Sequence, residues 1–413
     1  MLFFYKILRS LALVFLLMAA KQAESQCMVW GLHTLYQNTI DGFPEDFPDC
    51  ETYISDIYLH HTVEYLDSLY ILHKIEGHLI VMNGFYLKSM QGLMNLNWID
   101  GDLTLYGLDS LESLAALSSL SYVGGDLTIA NCPLLTDLSG LDSLVEVGGS
   151  VRILYNDQLE DVSGLAALSV VGGDVFIRGN PVLEDMAGLA GLTYLSGSLH
   201  ITENVSLSAL SGLASLEQLD GNLELRYNEQ LSDLSGLASL MSIGGHARIV
   251  ENAALEDMEG LSWLEAVGGS LVISKNASLE TLSGLENLQQ IGGSLNIADN
   301  GSLESLSGLD SLVSIGGGFY LNGQEQLHQL EGLASLQQVS GIFIWDNVQL
   351  ESLSGMGAVY PIWLQRLLLR DNPLLESCSL SWLCSYLENG GVAEISGNSG
   401  ACADLGAVLL DCE

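Results

Sequence analysis

Counting in steps of 24 from Gly77, every landing is a glycine: Gly101, Gly125, Gly149, Gly173, Gly197, Gly221, Gly245, Gly269, Gly293, Gly317 and Gly341. A period this short and this regular excludes an ordinary single-core domain. It requires a stack of similar coils, each too small to bury its own apolar face and each completed by its neighbours. The preceding residue varies among Gly, Glu76, Asp100, Ser196, Asp220 and Ser340, so only the second position rejects a Cβ. Such a slot requires either positive φ or close backbone contact.

The rest of the coil follows from comparing repeats within the chain. Two and four residues after the glycine come pairs such as Leu127 and Ile129, Val151 and Ile153, or Leu271 and Ile273, the period of a strand with one buried face. Three residues later stands asparagine, in seven consecutive units: Asn156, Asn180, Asn204, Asn228, Asn252, Asn276 and Asn300. An amide both donates and accepts, so stacked copies form a structural ladder serving the backbone groups left open where each strand turns. Cys132 occupies the same slot and reads as a free structural thiol. Apolar residues then recur every third position, as in Leu303, Leu306, Leu309, Leu312 and Ile315, which predicts tight turns or 3₁₀ segments. The glycosylation sequons at Asn204, Asn276 and Asn300 all use ladder asparagines, so no glycan is expected there.

The predicted fold is a right-handed parallel-β repeat solenoid of about 12 coils of 24 residues, with disulfide-bearing caps. The expected boundaries are a signal peptide over 1–25, an N-terminal cap with a first irregular repeat over 26–76, the solenoid over 77–373 and a Cys-rich cap over 374–413. Lys6 and Arg9 precede the apolar run Leu11 to Ala20, and Ala23-Glu24-Ser25 offers a cleavage step. That run is short for a bilayer span, and no later stretch replaces it, so the product is expected to be secreted or displayed at the cell surface. Cys27, Cys50, Cys378, Cys384, Cys402 and Cys412 are disulfide candidates, with Cys27 to Cys50 the simplest front pair and the pairing of the last four left open. Late in the chain the register slips, since Asn347 arrives one residue early and Asn372 follows by 25. Leu367 to Leu369 is expected to be the last strand, and Ser381 to Leu387 a short helix closed by Gly390-Gly391.

The unit V/I-G-G-x-L-x-I-x-x-N-x-x-L-x-x-L-x-G-L-x-x-L resembles the receptor L-domain type of leucine-rich repeat, and most closely its secreted versions in Bacteroidetes-like bacteria. The front stretch IDGFPEDFPDC (Ile40 to Cys50) and the back stretch from Asn372 to Cys402 also look like the caps of that group. The resemblance implies an extracellular binding role without a catalytic residue. Bacterial relatives often end in a sorting domain, whereas this sequence stops at Cys412-Glu413.

Chemistry-bearing motifs are sparse. No Gly-Lys step supports a Walker loop, HExxH and GxSxG are absent, and the glycines Gly316 and Gly318 meet Leu321 where a third would stand. His60-His61 are expected on a strand with opposite facings, which disfavours a shared metal site. No enzyme activity, cofactor or metal is expected. Carboxylates line up at Glu160-Asp161, Glu184-Asp185 and Glu256-Asp257, extended by Glu112, Asp137, Asp233, Glu280 and Glu304. A solvated edge explains them, with weak Ca²⁺ binding the sharper alternative.

Outward strand positions vary where the scaffold does not, and recognition on a solenoid belongs there. They read Arg152, Phe176, His200, Glu224, Arg248 and Val272, with Arg178 and Arg226 just past the inward pairs and Tyr155 and Tyr227 one further. Cross-strand pairing such as Glu224 with Arg248 accounts for part of this. The rest nominates Arg152, Tyr155, Phe176, Arg178, Arg226, Tyr227 and Arg248 as ligand-binding residues. The formal net charge of −39 disfavours nucleic acid and anionic membranes. The expected partner is therefore an extracellular protein or glycan bound by a monomer. The competing expectation is a structural or adhesive surface protein acting by self-association, with or without Ca²⁺ assistance.

Overall fold

The computed structural model describes residues 26–27, 34–357 and 359–413. The expected signal peptide lies outside the described residues. The chain divides into two compact units, Met1–Leu168 and Ser169–Glu413. Each is a leucine-rich-repeat-like parallel-β solenoid.

In the first unit the main ladder runs through Thr34–Leu35, Ile57–Leu59, Leu79–Met82, Leu103–Tyr106, Leu127–Ala130 and Val151–Leu154, all parallel. Register is exact in units of one coil: Leu103 pairs with Leu127, and Leu127 with Val151. Alternation puts Leu127 and Ile129 inside and leaves Thr128 outward. A one-residue slip would expose every one of these aliphatics, which is why the period is strict. A second ladder of two-residue strands includes Thr52–Tyr53, Lys74–Ile75, Trp98–Ile99, Tyr122–Val123 and Glu146–Val147. At the front, Ile40 of helix Gln37–Asp41 and Phe43 of helix Phe43–Asp46 are buried, as is Tyr53. Cys27 is bonded to Cys50 there.

The glycine slot joins the short strand to the long one, and neighbouring coils approach closely at that corner. A Cβ on Gly149 would sit 2.8 Å from the carbonyl carbon of Gly125 and 2.9 Å from the nitrogen of Asp126. Close contact, rather than positive φ, excludes side chains here.

The second unit carries strands Val175–Arg178, Leu199–Thr202, Leu223–Arg226, Ala247–Val250, Leu271–Ser274 and Leu295–Ala298 in the same register. Between strands, 3₁₀ turns such as Ser211–Leu213 and Ser235–Leu237 keep every third leucine inward. Leu199, Ile201, Leu207, Leu210, Leu213, Leu216 and Leu219, one coil's worth, are each at most 1% exposed. Each contributes roughly 1.5–3 kcal/mol of burial. Beyond Leu312 the short and long strands fuse into Ser314–Asn322 and Gln338–Trp345, with a register shift between Ile315 and Gly318.

Leu367–Leu369 does form a strand, within Arg366–Arg370, but it is not the last. Ala393–Ser396 pairs with it, Leu369 opposite Ile395. The helix Ser381–Glu388 is inserted before this final strand and breaks the 24-residue count, so the period conceals it. Cys378 is bonded to Cys402, and Cys384 to Cys412, the latter tying Ser381–Glu388 to the terminal helix Leu405–Cys412.

Candidate functional site

Three repeating features run along the coils, two of side chains and one of backbone, and together they position the outward face. The first is the asparagine ladder. In the second unit Asn180 N donates to Asn204 Oδ1 at 3.0 Å, Asn204 N to Asn228 Oδ1 at 3.1 Å, and Asn252 N to Asn276 Oδ1 at 3.0 Å. Each amide nitrogen reaches back to a strand carbonyl, as Asn228 Nδ2 does to Ile201 O at 2.9 Å. Asn156, Asn180, Asn204, Asn228, Asn252, Asn276 and Asn300 are all 0% exposed. In the first unit Asn156 Oδ1 accepts from Cys132 N at 3.0 Å, and Cys132 is a buried free thiol whose pKa burial pushes up to about 11.

A second ladder occupies the position after the glycine. Asp102 Oδ1 accepts from Asp126 N, Asp174 Oδ1 from Ser198 N, Asn222 Oδ1 from His246 N, and His246 Nδ1 from Ser270 N, at 2.6–2.8 Å. Sequence reasoning missed it, although its signal was present: from His78 through Ser294 the slot holds only Asp, Ser, Asn or His, each with an acceptor.

The third feature is backbone strain. The residue before the ladder amide is left-handed at Tyr155 (φ 55), Glu203 (φ 60), Tyr227 (φ 58), Glu251 (φ 58) and Lys275 (φ 56). Such positions cost of order 1–3 kcal/mol for residues other than glycine. The family of coils tolerates glycine there, as at Gly179 and Gly323.

Of the nominated residues, Arg152 and Tyr155 belong to the first unit. Arg152 Nη1 lies 2.5 Å from Asp126 Oδ2. Burial raises the Asp126 pKa, but the Ser150 N–H and the Arg152 guanidinium outweigh it, so the carboxyl is held below its usual range.

Phe176, Arg178, Arg226, Tyr227 and Arg248 belong to the second unit. The first four, with His200, Thr202, Glu203 and Glu224, line a concavity of about 530 Å³. Phe176 stacks on His200 with centroids 4.5 Å apart and planes 8° from parallel. Glu224 bridges two neighbours, 3.1 Å from His200 Nδ1 and 3.0 Å from Arg248 Nη1, which is the cross-strand pairing expected of it. Arg178 Nη2 is 2.7 Å from Glu203 Oε1. Arg226 differs: its Nη2 lies 3.4 Å from the Tyr227 hydroxyl, its guanidinium carbon is 5.2 Å from the Tyr227 ring centroid, and its buried Nε has no hydrogen-bond partner.

The aligned aspartates have a local job. Asp185 Oδ1 accepts from Ala187 N at 2.8 Å, Asp233 Oδ1 from Ser235 N at 2.6 Å and Asp257 Oδ1 from Glu259 N at 2.9 Å, each opening a 3₁₀ turn. Thr281 and Ser305 accept from Ser283 N and Ser307 N with their hydroxyls, at ordinary turns that are not 3₁₀. Among the described residues no group of three His, Cys, Asp or Glu side chains is placed to hold a metal. His60 and His61 are not on opposite faces, because the strand ends at Leu59 and their rings lie 4.0 Å apart.

No protein-family model matches the chain, and no curated protein does. A solved structure titled "Crystal structure of TLR13-ssRNA13 complex" is 14% identical, covering 87% of this chain and 76% of that one at a TM-score of 0.21. A likeness at that score carries no argument about ligand or fold. The solenoid assignment rests on strand register and the buried repeat.

Proposed function

We propose that this chain is a secreted or cell-surface, non-catalytic binding protein of the L-domain kind, with an export signal over 1–25, caps over 26–76 and 374–413, and the repeat solenoid between them. It recognises an extracellular protein or glycan through the outward strand face. The disulfides at Cys27–Cys50, Cys378–Cys402 and Cys384–Cys412 support an oxidising destination. Among the described residues no helix is long and apolar enough to cross a membrane.

The observation that carries this reading is Arg226, a guanidinium on the concave wall with no carboxylate partner among the described residues, beside a tyrosine kept at a strained position. Arginine and tyrosine are the residue types that anchor interfaces. The test is binding of residues 26–413 to an array of glycans and surface proteins, beside a folded Arg178→Ala, Arg226→Ala, Arg248→Ala variant. Specific binding lost in the variant supports the reading, and binding that survives unchanged removes this face from it.

A further inference from the structure

We infer that the Arg226 concavity is a subsite for the carboxylate of a single acidic sugar in an otherwise neutral glycan. This rests on the strand face being the binding surface. Every other arginine or lysine described in the second unit has a carboxylate within salt-bridge reach: Arg178 with Glu203, Arg248 with Glu224, Lys275 with Glu251, Arg366 with Glu394 and Arg370 with Asp371. The chain holds 51 acidic residues against 12 Lys and Arg, so acids to pair with Arg226 are not scarce. Its five N–H donors meet one long contact to Tyr227, and Nε is buried without an acceptor. Nε is closed to an incoming group, so a ligand meets the Nη end, whose donors fit the two oxygens of a carboxylate.

The surroundings select what carries that carboxylate. Phe176 and His200 stack on each other and both line the cleft, giving it an apolar wall against which the C–H groups of a pyranose can pack. Thr202 and Glu203 line the same cleft and supply oxygens for sugar hydroxyls. Glu203 and Glu224 would repel a second acid nearby, and the net charge of −39 repels polyanions at longer range. The preferred ligand therefore carries one carboxylate among hydroxyls, in contrast to a sulfated chain or a nucleic acid.

Residues 26–413 should be titrated with oligosaccharides bearing one glucuronate, galacturonate or sialate, with their carboxyl-reduced counterparts, and with peptides ending in a free carboxylate. The acid form should bind about 10- to 100-fold more tightly than the reduced form, the worth of hydrogen bonds to a charged group. Arg226→Ala should erase that preference, and Arg226→Lys should restore it only in part. Equal binding of acid and reduced sugars overturns the carboxylate subsite. If the triple arginine variant abolishes that equal binding, the strand-face reading survives, and if it does not, both fall. Binding to peptides alone, or to no saccharide, also overturns the proposal. The acid-versus-reduced comparison on the unmodified chain is independent of how any variant folds.

Discussion

Ser270 donates its backbone N–H to Nδ1 of His246 at 2.8 Å across one coil, so an imidazole takes the place that Asp, Ser or Asn fills elsewhere in the second ladder. What the slot requires is an acceptor, with charge and size secondary. His246→Asn should therefore leave stability within about 0.5 kcal/mol, whereas His246→Val, which leaves a partly buried N–H unpaired, should cost about 1 kcal/mol or more. Denaturant midpoints of the two variants check this, and equal midpoints would remove the ladder's energetic role.

Cys132 sits where neighbouring coils place an amide. Its Sγ makes long contacts to carbonyl oxygens, 3.6 Å to Ala130 O and 4.0 Å to Leu105 O, whereas Asn156 Nδ2 reaches Ile129 O at 3.1 Å. Cys132→Asn is expected to stabilise the fold by about 1 kcal/mol. Burial raises the thiol pKa from 9.0 to about 11. The folded state then holds the proton more tightly than the unfolded one, so this contribution is intact below pH 9 and lost as pH rises from 9 to 11. The difference in melting temperature between Cys132→Asn and the parent should widen across that window. A constant difference would contradict burial as the cause.

Gln324 replaces asparagine in the ladder, and its Oε1 is buried with no partner. Asparagine in this slot presents its oxygen to the ladder N–H one coil back, as Asn300 Oδ1 does to Asn276 N at 3.0 Å. Gln324→Asn regains about 1–3 kcal/mol by satisfying the acceptor and loses about 1 kcal/mol with the buried methylene. The net expectation is a rise of up to about 2 kcal/mol in unfolding free energy by denaturant titration. A fall would mean that the register shift at Ile315/Gly318 prevents the shorter side chain from reaching its partner.

The coil was legible because its constraints repeat. Glycine at every close approach, the alternating aliphatic pair and the buried amide each recur at one spacing, so a single chain supplies its own comparison. What was hidden lacked repetition or looked ordinary. The strand Ala393–Ser396 follows an inserted helix that resets the count. The second ladder was overlooked because Asp, Ser, Asn and His share an acceptor but no obvious class. The aligned aspartates looked like a surface property until Asp233 and Asp257 were seen capping the turns two residues on. At the candidate site, sequence named the arginines and paired Arg248 with Glu224, but only geometry separated Arg178, which is paired with Glu203, from Arg226, which is not.

The most direct test of the binding account is the dissociation constant of the strongest array ligand for the parent 26–413, for Arg226→Ala and for Arg366→Ala. Arg366 is a paired control, 3.6 Å from Glu394. The account predicts that Arg226→Ala weakens binding at least about tenfold, while Arg366→Ala changes it little. Equal affinities for all three would contradict it.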